Sequence, residues 1–393
     1  MVKLSMKARM EVIERKRKAY KKATKKGKGE ILDSICETTG LSRDRAKRLL
    51  GWNEAKQTSQ MRNAKAKGRR GRKKKYGAEE AEALALLWAL MDCACGKRMA
   101  SGLCAMIGAL ARHGEWSYDA ETTSKLKAMS APTIDRLLHK HKADMIFKGK
   151  TTTKPGTMLK KNIPLRRGTE WDEDKPGYME IDLVAHCGAT TAGDYVNTLD
   201  ATDIKTGWTE TAAVLNKAQK HVFAALKGIR AALPFELSGI DSDNGSEFIN
   251  AELFRYCANE GLAFTRSRPN RKNDNCHVEQ KNWHVVRRNI GYNRYEGGTA
   301  VAAMNEYYSF LRLHTNFFMP QSKLVSKSRD GSRVVKRYDG PSTPYERVLN
   351  SPDVPEEAKA RLRETYRSLN PAALVRGMRE ALAKLMALAM PQQ

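Results

Sequence analysis

The sequence predicts a multidomain chain: all-α basic units at the amino end, an α/β core built on a mixed five-stranded sheet, and an α/β extension at the carboxyl end. Three observations predict it. The positive charge is concentrated at one end. The hydrophobic period switches near residue 178 from helical spacing to strand-like runs. Past that switch the order of elements is three strands, helix, strand, helix, strand, helix.

At 393 residues the chain suits two to four domains. Its net charge is +27, and residues 1–77 hold 26 Lys/Arg against 7 Asp/Glu, a net +19. Such a balance favours polyanion binding that weakens as salt rises. Seven scattered cysteines and no apolar core behind the basic start fit reduced thiols in a cytoplasm, with a bacterial, nucleoid-associated location expected and no secretory signal. The longest apolar stretch, Ala83–Met91, is too short for a membrane span. Cys93, Cys95, Cys104 and His113 lack the usual zinc spacing and read as packed thiols.

Residues 1–61 form the first unit. A helix ending at Gly40 is followed by Ser42, a plausible N-cap for a short helix over Arg43–Leu50. Helix, glycine turn and short helix make a helix-turn-helix pattern, with Arg43, Arg45, Lys47 and Arg48 suited to phosphates and guanine edges. Residues 62–77 form a linker whose Arg69, Arg70 and Arg72 can lie in a minor groove or act as an electrostatic tether. Residues 78–142 are helical in period. Their last helix starts near Ser130 and Pro132, giving a second helix-turn-helix with Thr133 and Arg136 outward. Residues 143–176 are a linker.

The core is placed at 177–300. Strands are expected at Tyr178–His186, Asp194–Thr202, Gly207–Val214, Leu237–Asp241 and Leu262–Arg266, with helices at Ala218–Leu233, Glu247–Glu260 and Cys276–Gly291. This order sets Asp182 in the middle of the first strand, Asp243 just past the fourth and Glu279 in the first turn of the last helix. Three such carboxylates can converge at one edge of a mixed sheet and share two divalent ions, Mg²⁺ or Mn²⁺. Glu180, Asp200, Asp203 and Asp241 are competing acids, read as supporting or surface residues. Asn275 and Asn282 share the face of Glu279 and can touch substrate phosphate. The loop with Arg268, Arg271 and Lys272 is placed to grip a scissile strand.

Asp182 on its strand, Ser242-Asp243-Asn244-Gly245-Ser246-Glu247-Phe248 and Asn275-x-x-x-Glu279 together resemble the catalytic core of DDE transposases and retroviral integrases, most nearly those of bacterial insertion-sequence transposases. The resemblance implies an RNase H-like core, with Asp182, Asp243 and Glu279 as metal ligands. It also implies cleavage and joining of DNA ends by in-line transesterification, and a dimer or larger homo-oligomer acting on element ends and target DNA. No small-molecule cofactor is expected. The zinc-holding His/His/Cys/Cys domain of retroviral integrases has no counterpart here. A DNA-binding regulator with an inactive core, and a metal nuclease without joining activity, are the alternatives.

Residues 301–393 are the extension. Leu324–Arg337 reads as a hairpin, and Pro355–Ser368 and Pro371–Ala389 as helices. Leu374, Met378, Leu382, Leu385 and Met386 fit either packing within the chain or an assembly or DNA contact.

Overall fold

The computed structural model describes residues 4–51, 75–139, 175–242, 245, 247–248, 250–266, 278, 281–330 and 333–390. The chain divides into two compact units, residues 1–75 and 76–393.

The first unit holds α1 (Met6–Lys22), α2 (Lys25–Thr39) and α3 (Arg43–Leu50). Ser5 and Thr24 accept hydrogen bonds from the backbone three residues on, which fixes the starts of α1 and α2. α2 stops where expected: Gly40 takes φ 66° and its N–H returns to the Cys36 carbonyl. Ser42 precedes α3 in extended conformation but makes no side-chain cap bond. Ile13, Leu32, Ile35, Leu41, Ala46 and Leu50 form a small buried core.

The second unit opens with α4 (Ala78–Leu90), α5 (Gly96–Arg112), α6 (Ala120–Lys127) and α7 (Ala131–Leu137). Gly96 lies so close to α7 that a Cβ there would sit 2.3 Å from the Ala131 carbonyl. Its N–H donates to Asp135 at 2.9 Å.

The sheet follows: β1 (Tyr178–Ala185), β2 (Asn197–Asp203), β3 (Thr209–Val214), then α8 (Gln219–Ala232), β4 (Gly239–Ser242), α9 (Ala251–Asn259) and β5 (Ala263–Arg266). Strand order is β3-β2-β1-β4-β5. The first three strands run antiparallel; β4 joins β1 in parallel and β5 joins β4 in parallel. The expected mixed five-stranded sheet is present. Its third helix is not as expected. The chain is π-helical over Asn282–Arg287 before one α turn, Arg288–Ile290, rather than a single α-helix over Cys276–Gly291. The second starts four residues later than read, because Asn250 caps it by accepting from the Leu253 N–H.

α10 (Gly297–Phe318) crosses the sheet, followed by the hairpin β6 (Leu324–Asp330) and β7 (Arg333–Tyr338), then α11 (Pro344–Asn350), α12 (Glu356–Ser368) and α13 (Pro371–Met386). Met179, Ile181, Leu199, Ala201 and Ile240 join Val222, Leu226, Ile229, Leu253 and Cys257 in the principal core, which continues without a break into α4–α7. Leu374 and Leu385 are buried, whereas Met386 is exposed. Among the described residues, no helix is long and apolar enough to cross a membrane.

Alternation along the strands gives the sheet two unlike faces. One carries Met179, Ile181, Leu199 and Ala201 towards α8 and α9. The other carries Glu180, Asp182, Thr198, Asp200 and Thr202, with Asp241 alongside Glu180 on β4. α10 and the π-helical segment cover part of this polar face through Val285, Val286, Met304, Tyr307 and Tyr308. A polar face that is buried must be hydrogen-bonded, and much of it is. Thr198 Oγ1 bonds Tyr308 Oη at 2.6 Å and His186 Nε2 at 2.8 Å.

Candidate active site

β1 is the central strand, hydrogen-bonded on both sides, to β2 and to β4. Asp182 stands near its middle, half-buried on the polar face. Asn282 Nδ2 donates to Asp182 Oδ2 at 2.6 Å, and the Leu183 N–H donates to Asp182 Oδ1 at 2.8 Å. Of the proposed DNA-contact residues in this region, Asn282 is thus bonded directly to Asp182. Asp243, Glu279, Arg268, Arg271, Lys272 and Asn275 lie outside the described residues, as do Arg69, Arg70 and Arg72.

The chain on either side of those two carboxylates is described. Ser242, the last residue of β4, pairs with Ile181. Val278 is buried, and its N–H donates to Glu180 Oε2 at 3.1 Å. Glu180 thus has a structural task, holding the backbone at Val278. Asp241 is fully buried and accepts from Thr265 Oγ1 on β5.

Asp200 and Asp203, expected as supporting or surface residues at the end of the second strand, are not on the surface: neither is exposed at all. They are buried because β2 is covered on both faces along its whole length. Asp203 accepts from the Gly177 N–H at 2.8 Å, from the Thr206 N–H at 2.7 Å and from Thr206 Oγ1, which fixes both the β2–β3 turn and the entry to β1. Gly177 can occupy that entry only as glycine. Its φ is +114°, and a Cβ would meet the Glu236 carbonyl at 2.4 Å.

Asp200 sits directly across from Asp182. Its Oδ1 accepts from Thr202, while Oδ2 has no hydrogen-bond partner. Burial pushes its carboxyl up to about 8; Lys281 opposes this and the charge of Asp182 adds to it. Burial also pulls the Lys281 amine down to about 7, against the attraction of Asp200. Lys281 Nζ donates to the Gly207 carbonyl at 3.2 Å. The buried Asp200 thus lies within the field of Asp182 and Lys281, both half-buried.

Among the described residues no three His, Cys, Asp or Glu side chains form a group able to hold a metal. The donor chemistry present is carboxylate oxygen, which suits a hard divalent cation. Asp182 is the donor best placed for one, being the acid of this face that is only half-buried. The cysteines do not assemble either. The packed-thiol reading fails for two of them: Cys95 and Cys104 are exposed because they face away from the core of their segment, and Cys93 is half-buried.

The residues proposed for DNA contact in the helical parts are all described. Arg43, Arg45, Lys47 and Arg48 are exposed on α3, and Arg43 pairs with Asp33 on α2. On α7, Arg136 is exposed and Thr133 is half-buried. Thr133 Oγ1 is shared with Ser130 Oγ at 3.0 Å and Arg136 at 3.5 Å. The sequence did not single out Lys281, which lies near Asp200. It also gave no helix at 297–318, although Ala300, Met304, Tyr307, Tyr308 and Leu311 have helical spacing.

The chain is 38% identical over 346 residues to the uncharacterized protein y4rM of Sinorhizobium fredii (strain NBRC 101917 / NGR234), covering 88% of this chain and 96% of that protein. The chain belongs to the y4rM family. No family model matches it. Among solved structures it is similar to the catalytic core domain of BIV integrase, with 16% identity and TM-score 0.27 over 43% of this chain and 91% of that one. It is also similar to the HTLV-2 integrase catalytic core domain in complex with magnesium, dimeric form, with 12% identity and TM-score 0.29 over 37% and 90%.

Proposed function

We propose that this member of the y4rM family is a transposase that cleaves DNA strands at element ends and joins them to target DNA. The observation that carries the reading is the position of Asp182. It lies half-buried on the central strand of a mixed sheet in the order β3-β2-β1-β4-β5, with the chain entering Asp243 and Glu279 anchored beside it. Asp243 follows Ser242 and Glu279 follows Val278 directly in the sequence.

Asp182, Asp243 and Glu279 would hold the divalent ions, Mg²⁺ or Mn²⁺, two per site. When bound, the ions supply activation of the attacking oxygen and charge stabilisation at the leaving oxygen. The chain's own residues do the rest. Asn282 fixes the rotamer of Asp182, as outer hydrogen-bond partners of metal ligands do. Arg268, Arg271, Lys272 and Asn275 would hold the scissile strand, and a terminal 3′-hydroxyl oxygen would then bond to the target phosphorus as the target's P–O3′ bond breaks. Residues 1–61, with Arg43, Arg45, Lys47 and Arg48 exposed on α3 after the Gly40 turn, would recognise element ends as a helix-turn-helix. α6 and α7, with Thr133 and Arg136, would form a second one. Joining two ends requires a dimer or larger assembly, acting in the bacterial cytoplasm on the nucleoid.

The test is an assay with labelled DNA ends, Mg²⁺ and a target plasmid, scored for binding, cleavage and joined product. The reading expects all three from the native chain. It expects binding alone from alanine variants at Asp182, Asp243 or Glu279. Binding without cleavage in the native chain would mark a regulator, and cleavage without joining a nuclease.

A further inference from the structure

The β6–β7 hairpin stands outside everything described so far. It is a seven-residue strand paired antiparallel with a six-residue one, a sheet of its own. Its base is tied down. The Lys323 N–H donates to Asp339, the Asp339 N–H returns to the Lys323 carbonyl, and Asp339 pairs with Arg347 on α11. Above that base the chain has no cover. Val334 and Val335 are neighbours on one strand, so they point to opposite faces, yet they are 42% and 39% exposed. Neither face of the ribbon is packed. Val325 is 69% exposed and Tyr338 48%. Among the described residues, Lys336 and Arg337 are exposed and make no ion pair.

Solvated edge strands protect themselves with charge, and this one has charge. Exposed valines on both faces, however, do not belong on a ribbon that meets only water. The charge identifies what meets it. Leu324–Tyr338 contains Lys327, Arg329, Arg333, Lys336 and Arg337 against Asp330 alone. That is a net +4, half of the +8 carried by all of residues 78–393. Two such ribbons would repel one another, which argues against a second copy of this chain. A duplex major groove, about 12 Å wide, admits a two-stranded β-ribbon, and its thymine methyl groups give apolar side chains something to touch. At about 3.4 Å per residue the hairpin is about 24 Å long, enough to follow the groove for most of a turn.

We propose that the β6–β7 hairpin is a DNA-contact ribbon that lies in the major groove of duplex DNA, with its cations on phosphates and the face that carries Val334 against base edges. This rests on DNA being the partner of the chain. It does not depend on the carboxylate site.

The experiment uses the full chain with a photo-crosslinking amino acid, p-benzoylphenylalanine, in place of Val334, and a 30-base-pair duplex. It is paired with salt titrations of binding by the native chain and by a Lys336→Gln/Arg337→Gln variant. Both positions are exposed, so thermal unfolding of the variant should match the native chain. The proposal expects a protein–DNA crosslink at position 334. It also expects the slope of log K against log[salt] to fall by about 1.8, since each lost phosphate contact removes about 0.9. A crosslink to a second protein chain, or bound DNA with no crosslink and an unchanged slope, would overturn the ribbon and leave the transposase reading standing. Failure of the native chain to bind duplex at all would overturn both.

Discussion

Asn282→Ala should separate activity from stability at the candidate site. The side chain makes one strong bond, from Nδ2 to Asp182 at 2.6 Å. A hydrogen bond to a charged group contributes about 1.5–3 kcal/mol. The other end of the same amide, Oδ1, is buried with no partner, and such a group costs about 1–3 kcal/mol. Truncation removes both, so the net change in stability is about 1 kcal/mol or less. In a unit of this size that moves the melting temperature by about 2 °C. Activity should respond far more. Releasing the outer partner of a metal ligand typically costs about 10–100-fold in metal affinity or rate. Joining of labelled ends should therefore fall by that factor, and the Mg²⁺ concentration for half-maximal rate should rise. Differential scanning calorimetry without metal and a Mg²⁺ titration of strand transfer measure the two effects. Full joining activity with an unchanged Mg²⁺ midpoint would refute the role of Asn282. A fall in melting temperature near 10 °C would refute the energetic argument.

Three further outcomes follow from buried groups. Arg312 forms a bidentate pair with Glu210, which is 3% exposed and also accepts from Trp208 Nε1. Arg312→Leu should cost about 3–5 kcal/mol in urea denaturation by stranding that carboxylate, and adding Glu210→Gln should recover most of the loss. Gly177→Ala should destabilise severely, by about 3 kcal/mol or more, because positive φ and a 2.4 Å clash act together. Burial pulls the His186 imidazole down to about 3, with Arg287 adding to the shift. The unfolded chain then takes up protons first, so stability is complete above pH 6.5 and is lost as pH falls towards 3. The contribution of His186 to that slope is at most about 1.4 kcal/mol per pH unit, and it should vanish in His186→Phe when urea midpoints are compared at pH 7 and pH 5.

The parts of the fold that were legible in the sequence are those with a local cause. Gly40 had to end a helix, because a left-handed residue was needed to return its N–H to Cys36. β1 was legible because its acids, Glu180 and Asp182, alternate with apolar residues. α10 was not, because buried Tyr307, Tyr308, His314, Thr315 and Asn316 blur its apolar stripe. Those polar residues have tasks set by tertiary contacts: Asn316 bonds the Thr209 backbone and His314 the Leu90 carbonyl. The π-helical segment likewise gives no sequence signal. At the candidate site, motif and spacing singled out Asp182 and Asn282, which the structure joins by a hydrogen bond. Asp200 was read as a supporting or surface acid because alternating polar residues on β2 look like a solvated face, and only the segments laid across the sheet bury it; Lys281 was not singled out.

The central claim is that Asp182, Asp243 and Glu279 act together in phosphoryl transfer. Its most direct test is strand transfer by Asp182→Asn, Asp243→Asn and Glu279→Gln, which keep shape and remove charge. The account predicts that each variant binds element ends as tightly as the native chain and yields no joined product with Mg²⁺ or Mn²⁺. Joined product at the native rate from any one of the three would contradict it.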